Sequence, residues 1–183
     1  MTSSPDKAWA PVLAFWREAG PSKWFKKDAA FDDRFRGAFL ARHEAAARGE
    51  LDGWAQSAEG ALALLILLDQ FPRNSFRGTP RMFATDGKAR DIARQSLAAG
   101  WDVQVPPELR NFFYLPLMHS EALADQDRAV ALTQALGGEH QRFALMHRDI
   151  IARFGRFPHR NAVLGRSTTQ EEQRFLDEGG FAG

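Results

Sequence analysis

The chain of 183 residues has no cysteine and a single tyrosine. The first absence excludes disulfides, thiolate metal sites and cysteine nucleophiles, and it leaves the redox compartment open. Charge of one sign is missing too: 24 Lys and Arg stand against 23 Asp and Glu, and a formal charge of +1 supplies no global field for nucleic acid or anionic lipid. The longest apolar run, Ala61 to Leu68, is too short to span a bilayer. The opening letters MTSSPDKAWAPV lack the basic-then-apolar order of a signal peptide, so a cytoplasmic protein without a membrane segment is expected. No Gly-x-Gly-x-x-Gly or Walker pattern offers a phosphate cradle, and no Glu-x-x-His or His-Glu-x-x-His offers metal ligands. No metal and no cofactor are therefore expected.

Val, Ile and Thr are scattered, whereas Ala, Leu, Arg and Glu recur at helical spacing, which predicts an all-α chain. The length suits one domain over residues 1–183, burying about 70% of the surface of its unfolded chain. Helices are predicted for Pro5 to Ala19, Asp28 to Arg48, Gly53 to Phe71, Asp86 to Ala99, Pro107 to Tyr114, Leu115 to Leu136, Gly138 to Phe154 and Thr168 to Asp177. Thr85 is placed to cap the fourth, and Gly100 to end it. Thr168 with Glu171 reads as a capping box for the last, which Gly179 and Gly180 would close. The third helix, apolar nearly all round, should be central. The 15 Phe and 5 Trp should be largely interior. In GPSKWFKKD, Trp24 is expected to drop into the core beneath snorkelling lysines.

Three stretches join apolar runs to dense polar residues: LDQFPRNSFRG at 68–78, FFYLPLMHSEALADQ at 112–126, and HRDIIARFGRFPHRNAVLGRSTTQEE at 147–172. Pro72 and Pro158 lack an amide proton and disfavour helical geometry before them, so each helix should end at or before its Phe, with two turns built alike. Asn74 and Asn161 suit the backbone of such turns.

Arg73, Arg77, Arg153, Arg156, Arg160 and Arg166 crowd these stretches, and Asp69, Glu121 and Asp125 are among the acids set against them. Two unpaired charges about 6 Å apart repel by roughly 3 kcal/mol at an effective dielectric near 20, so a real surplus would call for an anion. Guanidinium grips carboxylate or phosphate in a two-pronged geometry. The alternative is a set of ion pairs tying loops to helices, such as Asp69 with Arg73. Glu121 and Asp125 fall one helical turn apart beside His119, which suits a polar network joining core helices better than a metal site. His147 reads as a structural hydrogen-bonder, and His159 is the stronger functional candidate.

The phrases KWF, LLDQFPRNSFRG with FATD, YLPLMHSEALADQ and RFGRFPHRNAVLGRSTTQEEQRFL, in that order from Lys23 to Leu176, resemble a bacterial family catalogued as domain of unknown function 924. The resemblance implies a single all-α domain of about eight helices packed as antiparallel pairs, tetratricopeptide-like. It implies no established activity, cofactor or catalytic residue.

The expected function is a helical binding module in which the two Phe-Pro turns and the HSE segment meet as an arginine-rich pocket for a small anionic ligand or acidic peptide. Its ligand-binding residues would be Arg73, Arg77, Arg153, Arg156, His159, Arg160 and Arg166, with Asp69, His119, Glu121 and Asp125 as a polar network. Two alternatives stand beside it. One is a hydrolase or transferase acting on a phosphate- or carboxylate-bearing substrate, with His119 or His159 as acid/base. The other is an RNA-binding protein, which the low net charge disfavours.

Overall fold

The computed structural model describes residues 7–183; Pro5 and Asp6, where the first predicted helix begins, lie outside the described residues. Among the described residues the chain is all-helical, with no strand. The α-helices are α1 (Ala10–Ala19), α2 (Pro21–Trp24), α3 (Ala29–Ala47), α4 (Ala58–Leu65), α5 (Phe71–Ser75), α6 (Asp86–Ala98), α7 (Asn111–Met118), α8 (Leu123–Thr133), α9 (Gly138–Phe154) and α10 (Gln170–Asp177), with 3₁₀ turns between several of them. Residues 7–77 with 81–116 form one compact unit, and residues 78–80 with 117–183 form a second.

In the first unit Ala61 to Leu68 is buried on every side, and α4 packs against α1, α6 and the 3₁₀ turn Asp52–Gln56, as its all-round apolar character requires. Helix α3 starts where Asp28 accepts the Phe31 amide at 3.1 Å, and four-residue spacing then aligns Phe31, Phe35, Phe39 and His43 on one buried face. Phe15 of α1 stacks on Phe31 and Phe35 at 5.4 and 5.2 Å. Trp24 enters this core as expected, donating its Nε1–H to the Trp16 carbonyl at 2.7 Å, while neighbouring Phe25 is exposed.

Pro72 does not end the third predicted helix. Backbone dihedrals remain helical through Phe71 (φ −54°, ψ −47°), and the chain passes from α4 through a π turn, Ile66–Gln70, into α5. In the π turn the Phe71 amide bonds to the Ile66 carbonyl, one residue further back than in an α-helix. Proline has no N–H to offer, so carbonyls on the preceding turn need other donors. They receive them from side chains: His43 Nδ1 lies 2.8 Å from the Leu67 oxygen, Thr85 Oγ1 2.5 Å from the Leu68 oxygen, and Arg73 Nη1 2.8 Å from the Asp69 oxygen. Thr85 is thus not the side-chain cap of α6, because its hydroxyl serves Leu68 instead.

In the second unit α8 and α9 form a hairpin turning at Gly137 and Gly138, braced by Arg148 Nε and Asp127 at 3.0 Å. Helix α9 has the predicted bounds. Its stop is Gly155 in left-handed geometry (φ 70°), whose amide bonds to the Ile151 carbonyl at 2.8 Å. Phe157 is then extended (φ −88°, ψ 110°), as a residue before proline should be, and Pro158 opens a single 3₁₀ turn. The two Phe-Pro segments are therefore not built alike.

Further boundaries move. Residues 119–122 are not helical, so the predicted helix Leu115 to Leu136 is two, α7 and α8. Buried Gln126 stabilises the break by donating Nε2–H to the Met118 and Ser120 carbonyls at 2.7 and 2.6 Å. The capping box of α10 is Thr169 with Glu172, one residue later than predicted, because Glu172 is also drawn to Arg156.

Candidate functional site

Most of the expected ligand-binding arginines are engaged by carboxylates. In the first unit Arg73 grips Asp86 with both Nη atoms at 2.8 and 3.0 Å and meets Asp69 Oδ1 at 3.2 Å. Burial works against its charge, but Asp69 and Asp86 outweigh it and hold the guanidinium above its ordinary value. Arg77 Nε and the Asn74 amide share Asp32, at 2.9 and 2.6 Å, so Asn74 serves a carboxylate rather than a turn backbone.

In the second unit Arg153 meets Glu171 at 3.0 Å on the surface. Arg156 clamps Glu172 at 2.6 and 2.9 Å and donates to the Ser167 carbonyl at 2.8 Å. Glu172 is only 2% exposed, and Asn161 Nδ2 adds a bond at 3.2 Å. The Arg156 hydrogen bond, helped by the Thr169 amide and opposed by burial, holds its carboxyl at about 2. Arg166 takes Glu121 in two-pronged fashion at 2.8 and 3.0 Å and reaches the Phe157 carbonyl at 3.1 Å and Asn161 Oδ1 at 3.0 Å.

Glu121 and Asp125 are not a helical pair, since α8 begins only at Leu123. Glu121 accepts the Phe157 amide at 2.8 Å. Burial opposes its ionisation, but hydrogen bonds from Arg166 and Phe157 prevail and hold the carboxyl below the usual range. Buried Asp125 accepts the Ser120 hydroxyl at 2.7 Å. The polar network expected around Glu121 is therefore a brace, and what it holds is the loop carrying Phe157, His159 and Arg160.

On that loop lies a different constellation. Arg160, 7% exposed, lays its guanidinium 4.4 Å from the Phe157 ring centre and donates Nη2–H to the His119 carbonyl at 2.9 Å. The His147 ring sits 6.4 Å from His119 and 5.5 Å from Phe157, and His159 lies 5.6 Å from Phe157. Phe181 completes the group, 4.6 Å from His147 and 5.1 Å from His159. His119, His159 and Phe181 are half-buried; His147 is 6% exposed. Burial first, then the electrostatic effect of His119, Arg160 and His159, push the His147 imidazole down to about 3, although its bond to Phe143 favours the charged form. That bond, Nδ1 to the Phe143 carbonyl at 2.7 Å, requires the proton on Nδ1 and leaves Nε2 as the ring's acceptor. Among the described residues no group of three or more His, Cys, Asp or Glu is placed to hold a metal ion. No described helix is long and apolar enough to cross a membrane.

His147 and Phe181 were the parts least visible in the letters. His147 shares a face with Ala144, Ile150 and Ile151 and so reads as core; Phe181 carries no local signal beyond the Gly pair before it.

Residues 12–180 match the model of a family described as bacterial protein of unknown function, DUF924. The chain is also similar to a solved structure, a protein of unknown function from Agrobacterium tumefaciens, with 56% identity, a TM-score of 0.92, and coverage of 93% of this chain and 97% of that one. No curated protein matches the chain.

Proposed function

Because the chain belongs to the bacterial family of unknown function DUF924, we propose a function from its own chemistry: a helical binding module for a small anionic ligand or an acidic peptide. One observation carries this reading, the meeting of three imidazoles and the Arg160 guanidinium around the rings of Phe157 and Phe181. Arg160 supplies a permanent charge, and imidazole N–H groups can donate to an oxyanion. Neutral His147 adds an acceptor, which suits a ligand bearing a hydroxyl or N–H beside its charged group. His159 and Arg160 are the expected ligand-binding residues at the centre of this reading. Arg156 and Arg166 position the loop they stand on, through Glu172 and Glu121. A cytoplasmic location belongs to the same proposal, as does the tetratricopeptide-like arrangement of its helices.

Thermal denaturation with millimolar inorganic phosphate, pyrophosphate or acetate tests it. A binding anion should raise the melting temperature by mass action, and Arg160→Ala should remove the rise. No rise with any of the three in the unaltered protein would contradict the small-anion reading.

A further inference from the structure

We infer that Phe181 occupies the ring-binding half of this site, and that the ligand is an aryl anion, a planar ring carrying a carboxylate or phosphate, which takes its place. The inference rests on the anion reading above. Phe181 meets His147 and His159 at aromatic-pair distances, 4.6 and 5.1 Å, the second edge-on at 87°. Two glycines bring it there. Gly179 has φ 83°, its amide bonding to the Leu176 carbonyl at 3.1 Å and that of Gly180 to the Phe175 carbonyl at 2.9 Å, a Schellman ending that turns the chain back from α10. A Cβ at Gly180 would lie 2.5 Å from the Phe175 carbonyl oxygen and 2.6 Å from its ring, so this return path excludes any side chain.

The same segment follows the site further. A Cβ at Gly183 would stand 3.2 Å from His159 Cδ2 and 3.5 Å from Nε2, which places its backbone against the imidazole. Phe181 is only half-buried, whereas Phe157 is fully buried under Arg160. Phe157 is thus a fixed wall, and Phe181 is the ring at the edge. Displacing Phe181 leaves two imidazole surfaces facing one ring-sized space in the same cluster as the Arg160 guanidinium. An aryl anion satisfies both surfaces and charge; acetate or inorganic phosphate satisfies only the charge. Segment 181–183 then acts as an internal competitor that sets the apparent affinity.

Isothermal titration calorimetry of the full chain with benzoate, acetate, phenyl phosphate and inorganic phosphate tests this in the unaltered protein, Phe181→Ala and Gly180→Ala. The second variant keeps the ring but blocks its path, in case the first does not fold. If Phe181 leaves the space open about a tenth of the time, either variant should tighten benzoate and phenyl phosphate about tenfold, with acetate and inorganic phosphate changing by less than about twofold. Folded variants that bind aryl anions no tighter than the unaltered protein, while simple anions bind, would overturn the ring inference alone. Absence of binding by all four anions in all proteins would overturn the anion reading and this inference with it.

Discussion

In the first unit, Phe71-Pro72-Arg73-Asn74 runs inside a helix that stays continuous by widening to a π turn, and side chains from α3, α5 and the start of α6 donate to carbonyls of that turn. In the second, Phe157-Pro158-His159-Arg160-Asn161 follows a helix already closed by Gly155, and its residues stand on a braced loop. The difference lies in what surrounds each proline. The missing N–H is tolerated within a helix when donors from elsewhere converge on the freed carbonyls, and it is harmless at the first position of a new turn. One segment became a structural joint; the other presents a histidine and an arginine to a cluster of rings.

Among single substitutions the largest effect should come from the brace of the second segment. Glu172→Ala strands the donors of Arg156, Asn161 and Thr169 and should cost about 3 kcal/mol in urea unfolding, whereas a purely surface role would cost under about 0.5 kcal/mol. Acid should act next. His147 is neutral when folded, with its pKa near 3, but titrates near 6.5 when unfolded, so the unfolded chain binds the extra proton between those values. Stability should therefore be full above pH of about 6.5 and fall toward pH 3, by at most roughly 1.4 kcal/mol per pH unit. Glu172, depressed to about 2, should join the loss as pH falls from about 4 through that value. Unfolding across a pH series checks this, and His147→Phe should flatten the upper part of the slope.

Smaller effects probe the first segment. Thr85→Val leaves the Leu68 carbonyl without its donor and should cost about 1–2 kcal/mol in thermal unfolding. Pro72→Ala should change stability by less than about 1 kcal/mol. An uncompensated interior proline would instead release about 3 kcal/mol on replacement, so a gain of that size would show that the side-chain donors are not the reason this proline is tolerated.

The all-α class, the bounds of α9, the burial of Trp24 and the pairing of Asp69 with Arg73 were legible because each follows from spacing within a few residues. The π turn was not. Its stability depends on His43 and Thr85, which stand 24 and 17 positions from the carbonyls they serve. The apparent arginine surplus had a related origin: Arg77 finds Asp32 across 45 residues, and Arg153 and Arg156 find Glu171 and Glu172, 18 and 16 positions away, which the three acids weighed against the arginines did not include. Ion pairs of that span leave no periodic trace. The capping box slipped by one residue because tertiary attraction of Glu172 to Arg156 outweighed the local preference of Thr168.

The comparison reduces to which segment meets a ligand, and one calorimetric titration decides it. Inorganic phosphate is titrated into Arg160→Ala and Arg77→Ala, two arginine losses taken from the two Phe-Pro segments. Ligand binding at the second segment requires that Arg160→Ala weaken binding tenfold or more, on the order of 1.4 kcal/mol, while Arg77→Ala binds as the unaltered protein does. Equal affinity in Arg160→Ala and the unaltered protein, or a loss confined to Arg77→Ala, would contradict it.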